Sequence, residues 1–306
     1  MKKILVATVK PFAPLAVEGI RKEVKEAGNE LVLLEKYTDR SQLLKTVADA
    51  EGMIVRSDKI DAEVLDAAKN LKIIVRAGAG YDTIDLAHAK SNGVIVENTP
   101  GQNANAVAEL VFGLLVYMLR NFYNGKPGTE LKGKRLGLLA FGNVARNVAR
   151  IAKGFGMEIS AYDEFCPAVN IEAAGVRACK TKEELFHNSD IVSLHIPATS
   201  ETVGSINYEL VNLMPENGIL VNAARTEIIN EPELLRLLAD RSDLKYITDL
   251  KPAAVADFEK FGNRFFTTPK KMGAQTAEAN INAGVAAAKQ IDAFLKDGSV
   301  KFQVNK

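Results

Sequence analysis

The thirty residues from Lys134 to Asp163, KRLGLLAFGNVARNVARIAKGFGMEISAYD, constrain the fold of this chain most. An apolar run from Arg135 to Leu139 leads into Ala140-Phe141-Gly142. An amphipathic stretch from Asn143 to Gly154 follows, then a second apolar run that ends on an acid. The spacing predicts strand, tight loop, helix and strand, which is one βαβ unit. Small residues at the loop let a pyrophosphate approach the backbone N–H groups at the helix N-terminus. Asp163 falls about twenty residues past the loop, where a carboxylate accepts hydrogen bonds from ribose hydroxyls. The G-x-G-x-x-G pattern reads here as Ala140-x-Gly142-x-x-Ala145, so the first position must accommodate a Cβ.

At 306 residues the chain has length for two domains with separate cores. A composition 47% hydrophobic and 25% charged excludes disorder, and a net charge of +1 leaves no electrostatic footprint for nucleic acid or a membrane surface. Two cysteines, Cys166 and Cys179, without a secretory segment predict free thiols and a cytoplasmic protein. MKKILVATV has no small-residue cleavage site before Pro11 and reads as a buried first strand. The apolar run Ala106–Leu119 is too short for a bilayer, carries Glu109, and reads as a buried helix. No metal site is expected.

Short apolar runs alternate with amphipathic stretches throughout. Strands are predicted over 4–9, 31–35, 53–57, 73–77 and 94–97, with helices over 14–27, 41–50, 61–69 and 82–91 between them. A helix over 103–121 precedes the dinucleotide-type unit. Strands over 176–179, 191–195, 219–223, 246–250 and 265–268 then alternate with helices over 182–188, 208–214 and 231–240. A last Ala-rich helix over 276–296 is too long for a connector and is expected to pack on the first domain. The runs 121–133 and 252–264 are the least regular. Apolar strands separated by helices imply parallel sheets covered on both faces.

The order of motifs resembles a known family. Val55-Arg56-Ser57, Arg76-Ala77-Gly78-Ala79-Gly80-Tyr81-Asp82, Asn98-Thr99-Pro100 and Val107-Ala108-Glu109-Leu110 come first. The modified loop, Leu194-His195-Ile196-Pro197, Val221-Asn222-Ala223-Ala224-Arg225 and Thr268-Pro269 with Gly273-Ala274-Gln275-Thr276 follow. Together they resemble the D-isomer-specific 2-hydroxyacid dehydrogenases over essentially the whole chain. The resemblance implies two doubly wound α/β domains with a cleft between them. One is a discontinuous flavodoxin-like substrate domain, 1–97 and 276–306; the other is a Rossmann NAD-binding domain, 98–275. It implies a cytoplasmic homodimer joined through the cofactor domains. The likeness is to the short branch without appended regulatory domains, for which the thirty or so residues after the last motif leave no room.

The departure lies at the acid/base. Family members usually carry a catalytic His two residues before the Gly-Ala-x-Thr turn, paired with a Glu from an earlier loop. Here the turn is Pro269-Lys270-Lys271-Met272-Gly273, with one additional residue, and the position of the Glu is Ala254. His88 and His187 fall on predicted helices and His195 on the cofactor-side turn, so none fills the slot. A Lys, Lys271 or Lys270, is expected to take the hydroxyl proton, with burial and Arg225 lowering its pKa toward neutrality. Counting back from Gly273 favours Lys271 and counting forward from Pro269 favours Lys270.

The remaining roles are implied by the resemblance. Ala77, Gly78 and Ala79 would bind the substrate carboxylate through loop amides, with Arg225 as its guanidinium partner. The candidates for holding a phosphate are Arg56, Ser57, Lys59 and whichever of Lys270 and Lys271 is not the acid/base. Ala140, Gly142, Asn143 and Val144 would meet the pyrophosphate. Asp163 and Ile196 would meet the ribose, Ala223, Ala224 and Asp249 would surround the nicotinamide, and His195, Arg225 and Gly273 would also bind the cofactor. Asp163 would repel a 2′-phosphate and so favour NAD. The expected reaction is oxidation of D-3-phosphoglycerate to 3-phosphohydroxypyruvate, the entry to serine synthesis. Two alternatives stand: a glyoxylate or hydroxypyruvate reductase, and a non-catalytic NAD-sensing scaffold resembling the C-terminal-binding corepressors.

Overall fold

The computed structural model describes residues 1–306. The chain divides into two compact units, one of residues 1–103 and 276–306, the other of residues 104–275.

In the first unit β1 (Lys3–Thr8), α1 (Pro14–Glu26), β2 (Glu30–Glu35), α2 (Arg40–Val47), β3 (Gly52–Val55), α3 (Ala62–Ala67), β4 (Ile73–Arg76), α4 (Leu86–Ser91) and β5 (Ile95–Asn98) alternate. The strands form one parallel sheet in the order β2-β1-β3-β4-β5. Its strands are apolar on both faces because helices cover both. Leu5 and Ala7 of β1 enter one apolar cluster with Met53, Val55 and Ile74, while Ile4 and Val6 enter the other with Ile54, Ile73 and Val75. Pro14 opens α1 at a position where its missing N–H costs nothing. Ala16, Ile20 and Val24 repeat every four residues and bury one stripe of that helix.

The second unit comprises α5 (Ala104–Leu119), β6 (Arg135–Leu139), α6 (Asn143–Gly154), β7 (Glu158–Tyr162), α7 (Ala168–Glu172), β8 (Arg177–Ala178), α8 (Lys182–His187), β9 (Ile191–Leu194), α9 (Tyr208–Asn212), β10 (Ile219–Asn222), α10 (Glu231–Asp240), β11 (Lys245–Thr248), α11 (Val255–Glu259) and β12 (Phe265–Thr267). Its seven parallel strands run β12-β11-β10-β9-β6-β7-β8, so the winding reverses between β6 and β9. Helix α5 is the buried helix expected from its hydropathy; Val107, Val111, Leu115 and Met118 lie in one cluster with Ala145, Val148 and Ala152 of α6. Burying a Val or Leu side chain contributes about 1.5–3 kcal/mol. The last helix, α12 (Ala277–Asp297), returns to the first unit, where it packs on α1, β3 and β4. Thr276 caps it by accepting the Ala279 N–H at 3.1 Å.

Several expectations are corrected. The helix expected from Asp82 starts at Leu86, because Asp85 accepts the His88 N–H at 2.9 Å and acts as the N-cap instead of joining the helix. The helix expected to reach Asn121 stops at Leu119; Asn121, Phe122 and Tyr123 have φ of 50°, 56° and 57°. Edge contacts of Tyr117 with Phe122 (5.0 Å) and Phe266 (5.2 Å) fill this left-handed bend with aromatic rings. Helices α7 and α11 were not expected, since five residues are too few to display a 3.6-residue period. The second lies inside the run read as least regular. No helix is long and apolar enough to cross a membrane.

Candidate active site

The loops at the carboxyl ends of β6, β7, β9, β10, β11 and β12 carry most of the candidate residues. Open parallel sheets bind ligands at this edge, at the point where the winding reverses. After β6 the chain turns through Ala140, whose φ of 78° is left-handed despite its Cβ, a cost of about 1–2 kcal/mol. The Asp163 carboxylate holds the turn: Oδ2 accepts the Phe141 N–H at 2.6 Å, and Oδ1 accepts those of Phe165 and Cys166, each at 2.8 Å. Expected to bind ribose, Asp163 therefore also clamps the loop, which periodicity and spacing did not reveal.

A Cβ added to Gly142 would meet no atom of the chain within 4 Å, so its bare Cα faces open space. The first intrahelical bond of α6 runs from Arg146 N–H to Gly142 O at 3.0 Å. The amides of Asn143, Val144 and Ala145 are thus left without helical acceptors, and no side chain caps them. Three donors at the positive end of a helix beside an uncluttered Gly fit a dinucleotide pyrophosphate. Across the reversal point, His195 N–H bonds Leu139 O at 2.9 Å, while its Nε2 is buried without a partner. Burial pushes the pKa of this imidazole from 6.5 down to about 4. Ile196 follows it, half-buried.

Asn222, which ends β10, shapes the next loop. Its Oδ1 accepts the Ala224 N–H at 3.0 Å and its Nδ2 donates to Arg225 O at 2.8 Å, which fixes the turn through Ala223 and Ala224. Arg225 is half-buried and Nη1 donates to Ala224 O at 2.8 Å. Asn222 was missed by the sequence reading; a polar residue ending an otherwise apolar buried run was the available signal. Asp249 is fully buried and serves the lysine turn. Oδ1 accepts from Thr268 Oγ1 (2.9 Å) and Met272 N–H (2.8 Å), and Oδ2 from Gly273 N–H (2.7 Å). Thr268 Oγ1 is also 2.9 Å from Lys270 O, so its single hydrogen is shared between that carbonyl and Asp249. Both lysines are exposed, where partial burial had been expected. They differ in surroundings: Arg225 and Lys271 both draw the Glu227 carboxyl below its ordinary pKa, after its own backbone and Thr226 hydrogen bonds. Arg225, Glu227 and Lys271 therefore share one neighbourhood.

In the first unit the expected anion loop is only partly open. Ala77 N–H is spent on Val55 O and Gly78 N–H on Arg76 O, both at 2.8 Å, so those two amides are already committed. The Ala79 and Gly80 amides have no acceptor within the chain. The Arg76 guanidinium folds across Gly78, whose φ is 149°; a Cβ there would run into Arg76 Nη1. Arg56 does not join Lys59. Its Nη1 donates to Lys10 O (3.0 Å) and Pro11 O (2.7 Å), and its Nη2 to Asn280 Oδ1 (2.5 Å). Ser57 and Lys59 line a separate pocket with Lys10 and Tyr37. His88 Nε2 is hydrogen-bonded with Asp66 Oδ1 at 2.7 Å and His187 is exposed, so neither belongs to a catalytic group.

Residues 117–261 match the model for the D-isomer specific 2-hydroxyacid dehydrogenase NAD binding domain. The hydroxypyruvate reductase of Thermotoga maritima is 39% identical over 67% of this chain and 70% of its own length. The D-3-phosphoglycerate dehydrogenase of Methanocaldococcus jannaschii is 34% identical over 100% of this chain, which spans only 60% of that relative. Among solved structures, NAD+-bound 3-phosphoglycerate dehydrogenase from Entamoeba histolytica superposes with a TM-score of 0.88 at 48% identity, covering 100% of this chain and 99% of that one. The chain belongs to the D-isomer specific 2-hydroxyacid dehydrogenase family, with NAD as its cofactor, and its second unit contains the NAD binding domain of that family.

Proposed function

We propose that this chain oxidises D-3-phosphoglycerate to 3-phosphohydroxypyruvate, with Lys271 as the acid/base. The observation that carries the substrate is the 48% identity, end to end, with the Entamoeba histolytica 3-phosphoglycerate dehydrogenase. NAD, when bound, accepts the hydride. The Asn143, Val144 and Ala145 amides would hold its pyrophosphate, Asp163 would accept from the ribose, and Ala223 and Ala224 would border the nicotinamide. The Lys271 amine takes the hydroxyl proton as the C–H bond breaks, and its ammonium returns that proton in the reductive direction. Arg225 binds the carboxylate through its planar fork and polarises the forming carbonyl. The Ala79 and Gly80 amides are the anion nest of the first unit.

Lys271 is preferred to Lys270 because it shares the neighbourhood of Arg225 through Glu227. A second reading, hydroxypyruvate reduction, is favoured by the 39% identity with the Thermotoga maritima reductase. An NADH absorbance assay with 3-phosphoglycerate, hydroxypyruvate and 2-hydroxyglutarate side by side separates the two. Turnover of the phosphorylated acid alone is expected. Turnover of hydroxypyruvate alone selects the second reading, and silence on all three removes both.

A further inference from the structure

The winding of the first sheet reverses between β1 and β3, where parallel-sheet loops part and leave a crevice. Val9 and Lys10 after β1, Tyr37 after β2, and Ser57, Asp58 and Lys59 after β3 line a cavity of about 670 Å3 there. Its size is that of a small-molecule pocket. Arg56, expected to hold a phosphate with Ser57 and Lys59, is committed elsewhere, to Lys10 O, Pro11 O and Asn280 Oδ1.

Asp58 gives the cavity its chemistry. The residue is only 6% exposed. Its Oδ1 accepts twice, from Val9 N–H at 2.7 Å and Tyr37 Oη at 2.8 Å, while Oδ2 is buried and receives no donor from the chain. A buried acceptor without a donor is costly to keep. Burial first, then the Asp58 bond, holds the Tyr37 phenol well above its ordinary pKa, so it remains a donor. Lys36, before Tyr37, has a left-handed φ of 57°, and its N–H donates to Thr8 O at 3.0 Å. Such strain in a residue with a Cβ gathers at functional sites. Farther out stand two ammonium groups. Lys10 makes no ion pair, and Lys59, with a side chain 76% exposed, reaches Asp61 only at 3.7 Å. Arg40 is committed to Asp61 and Glu63.

We propose that this crevice binds a small amphoteric molecule, an amine-bearing phosphate or carboxylate. Its ammonium donates to Asp58 Oδ2 and its anionic end lies against Lys10 and Lys59. An anion alone would leave Oδ2 without a donor and add negative charge beside it; an amine alone would leave the ammonium pair unused. Oδ2 is closed to bulk water, so a lining side chain rotates as the ligand enters, a common adjustment on binding.

Calorimetric titration of the full chain with 2-aminoethyl phosphate and with β-alanine tests this, with and without NAD. Saturable binding of one molecule per chain, unchanged by NAD, is expected. Asp58→Asn keeps an acceptor for Val9 and Tyr37 but puts a donor where Oδ2 was, and weakens both probes about tenfold or more. Lys10→Met weakens the phosphate probe most. Ligand-free Asp58→Asn exchanges a buried oxygen without a donor for a buried NH2 without an acceptor, so it is expected to melt close to the parent; this separates lost binding from lost folding. Absence of heat with both probes overturns the proposal, as does undiminished binding to Asp58→Asn. Inorganic phosphate or 3-phosphoglycerate binding more tightly to Asp58→Asn than to the parent would make the cavity a plain anion site and also overturn it. The outcome leaves the dehydrogenase assay untouched, so the two readings fail independently.

Discussion

The Asp249 carboxylate and the Gly273 amide meet at 2.7 Å in a region closed to solvent, which ties the end of β11 to the turn that carries both lysines. With Met272 N–H and Thr268 Oγ1 as further donors, one side chain sets the path of the turn despite its additional residue. Asp249→Ala would leave the Met272 and Gly273 amides unsatisfied, a loss of roughly 2–5 kcal/mol. Urea unfolding measures it. A loss under about 0.5 kcal/mol would mean that the turn holds itself.

Lys271→Ala is expected to lower kcat by roughly 100-fold or more, the contribution of a positioned proton acceptor. Lys270→Ala is expected to act mainly on KM. Glu227→Gln, which removes a negative charge near Lys271, should move the acidic limb of the kcat profile for oxidation to lower pH. Equal, small effects of the two lysine variants would remove Lys271 from the mechanism.

Gly78→Ala should cripple the first unit. The position has a φ of 149°, which strains any residue with a Cβ, and the tip of the Arg76 side chain must swing aside to admit a methyl group. The expected loss is about 2–4 kcal/mol of stability with a sharp rise in KM. A folded variant with the parental KM would show that Arg76 can move aside at no consequence.

Asp163→Ala removes the acceptor for the Phe141, Phe165 and Cys166 amides. NAD affinity, read by isothermal titration calorimetry, should fall at least tenfold. A fall for NAD without a matching gain for NADP separates loop collapse from a simple change of cofactor preference.

His195 makes stability depend on pH. The folded protein keeps the ring neutral until about pH 4, whereas the unfolded chain protonates it at about 6.5. Between those values the unfolded state binds more protons, so stability falls as pH is lowered through that window. The Arg241–Asp243 pair does not share in this loss, since Arg241 holds the Asp243 carboxyl down to about 2. His195→Gln should flatten the curve; an unchanged slope of melting temperature against pH assigns the loss to other groups.

The extent of the helices and strands was legible where period and punctuation agreed. Helix α6 runs from Asn143 to Gly154 as read, because its Ala and Val residues recur at helical spacing and Gly-Phe-Gly follows. Helix α10 coincides for the same reason, with Asn230 as cap. Legibility failed where a side chain competed locally with the backbone, as Asp85 does ahead of α4. It failed again in α7 and α11, whose five residues show no period.

Taken alone, the residues determined that the chain forms doubly wound parallel sheets, that a dinucleotide loop follows β6, and that no histidine stands in the turn from Pro269 to Gly273. Those are local properties: period, spacing and identity along the chain. Tertiary structure decided what each polar group is already bonded to. It spent the Ala77 and Gly78 amides, turned Arg56 toward Pro11 and Asn280, and drew Asp249 onto the lysine turn. A hydrogen bond between residues twenty or two hundred positions apart leaves no periodic trace, because its geometry exists only after the strands have paired.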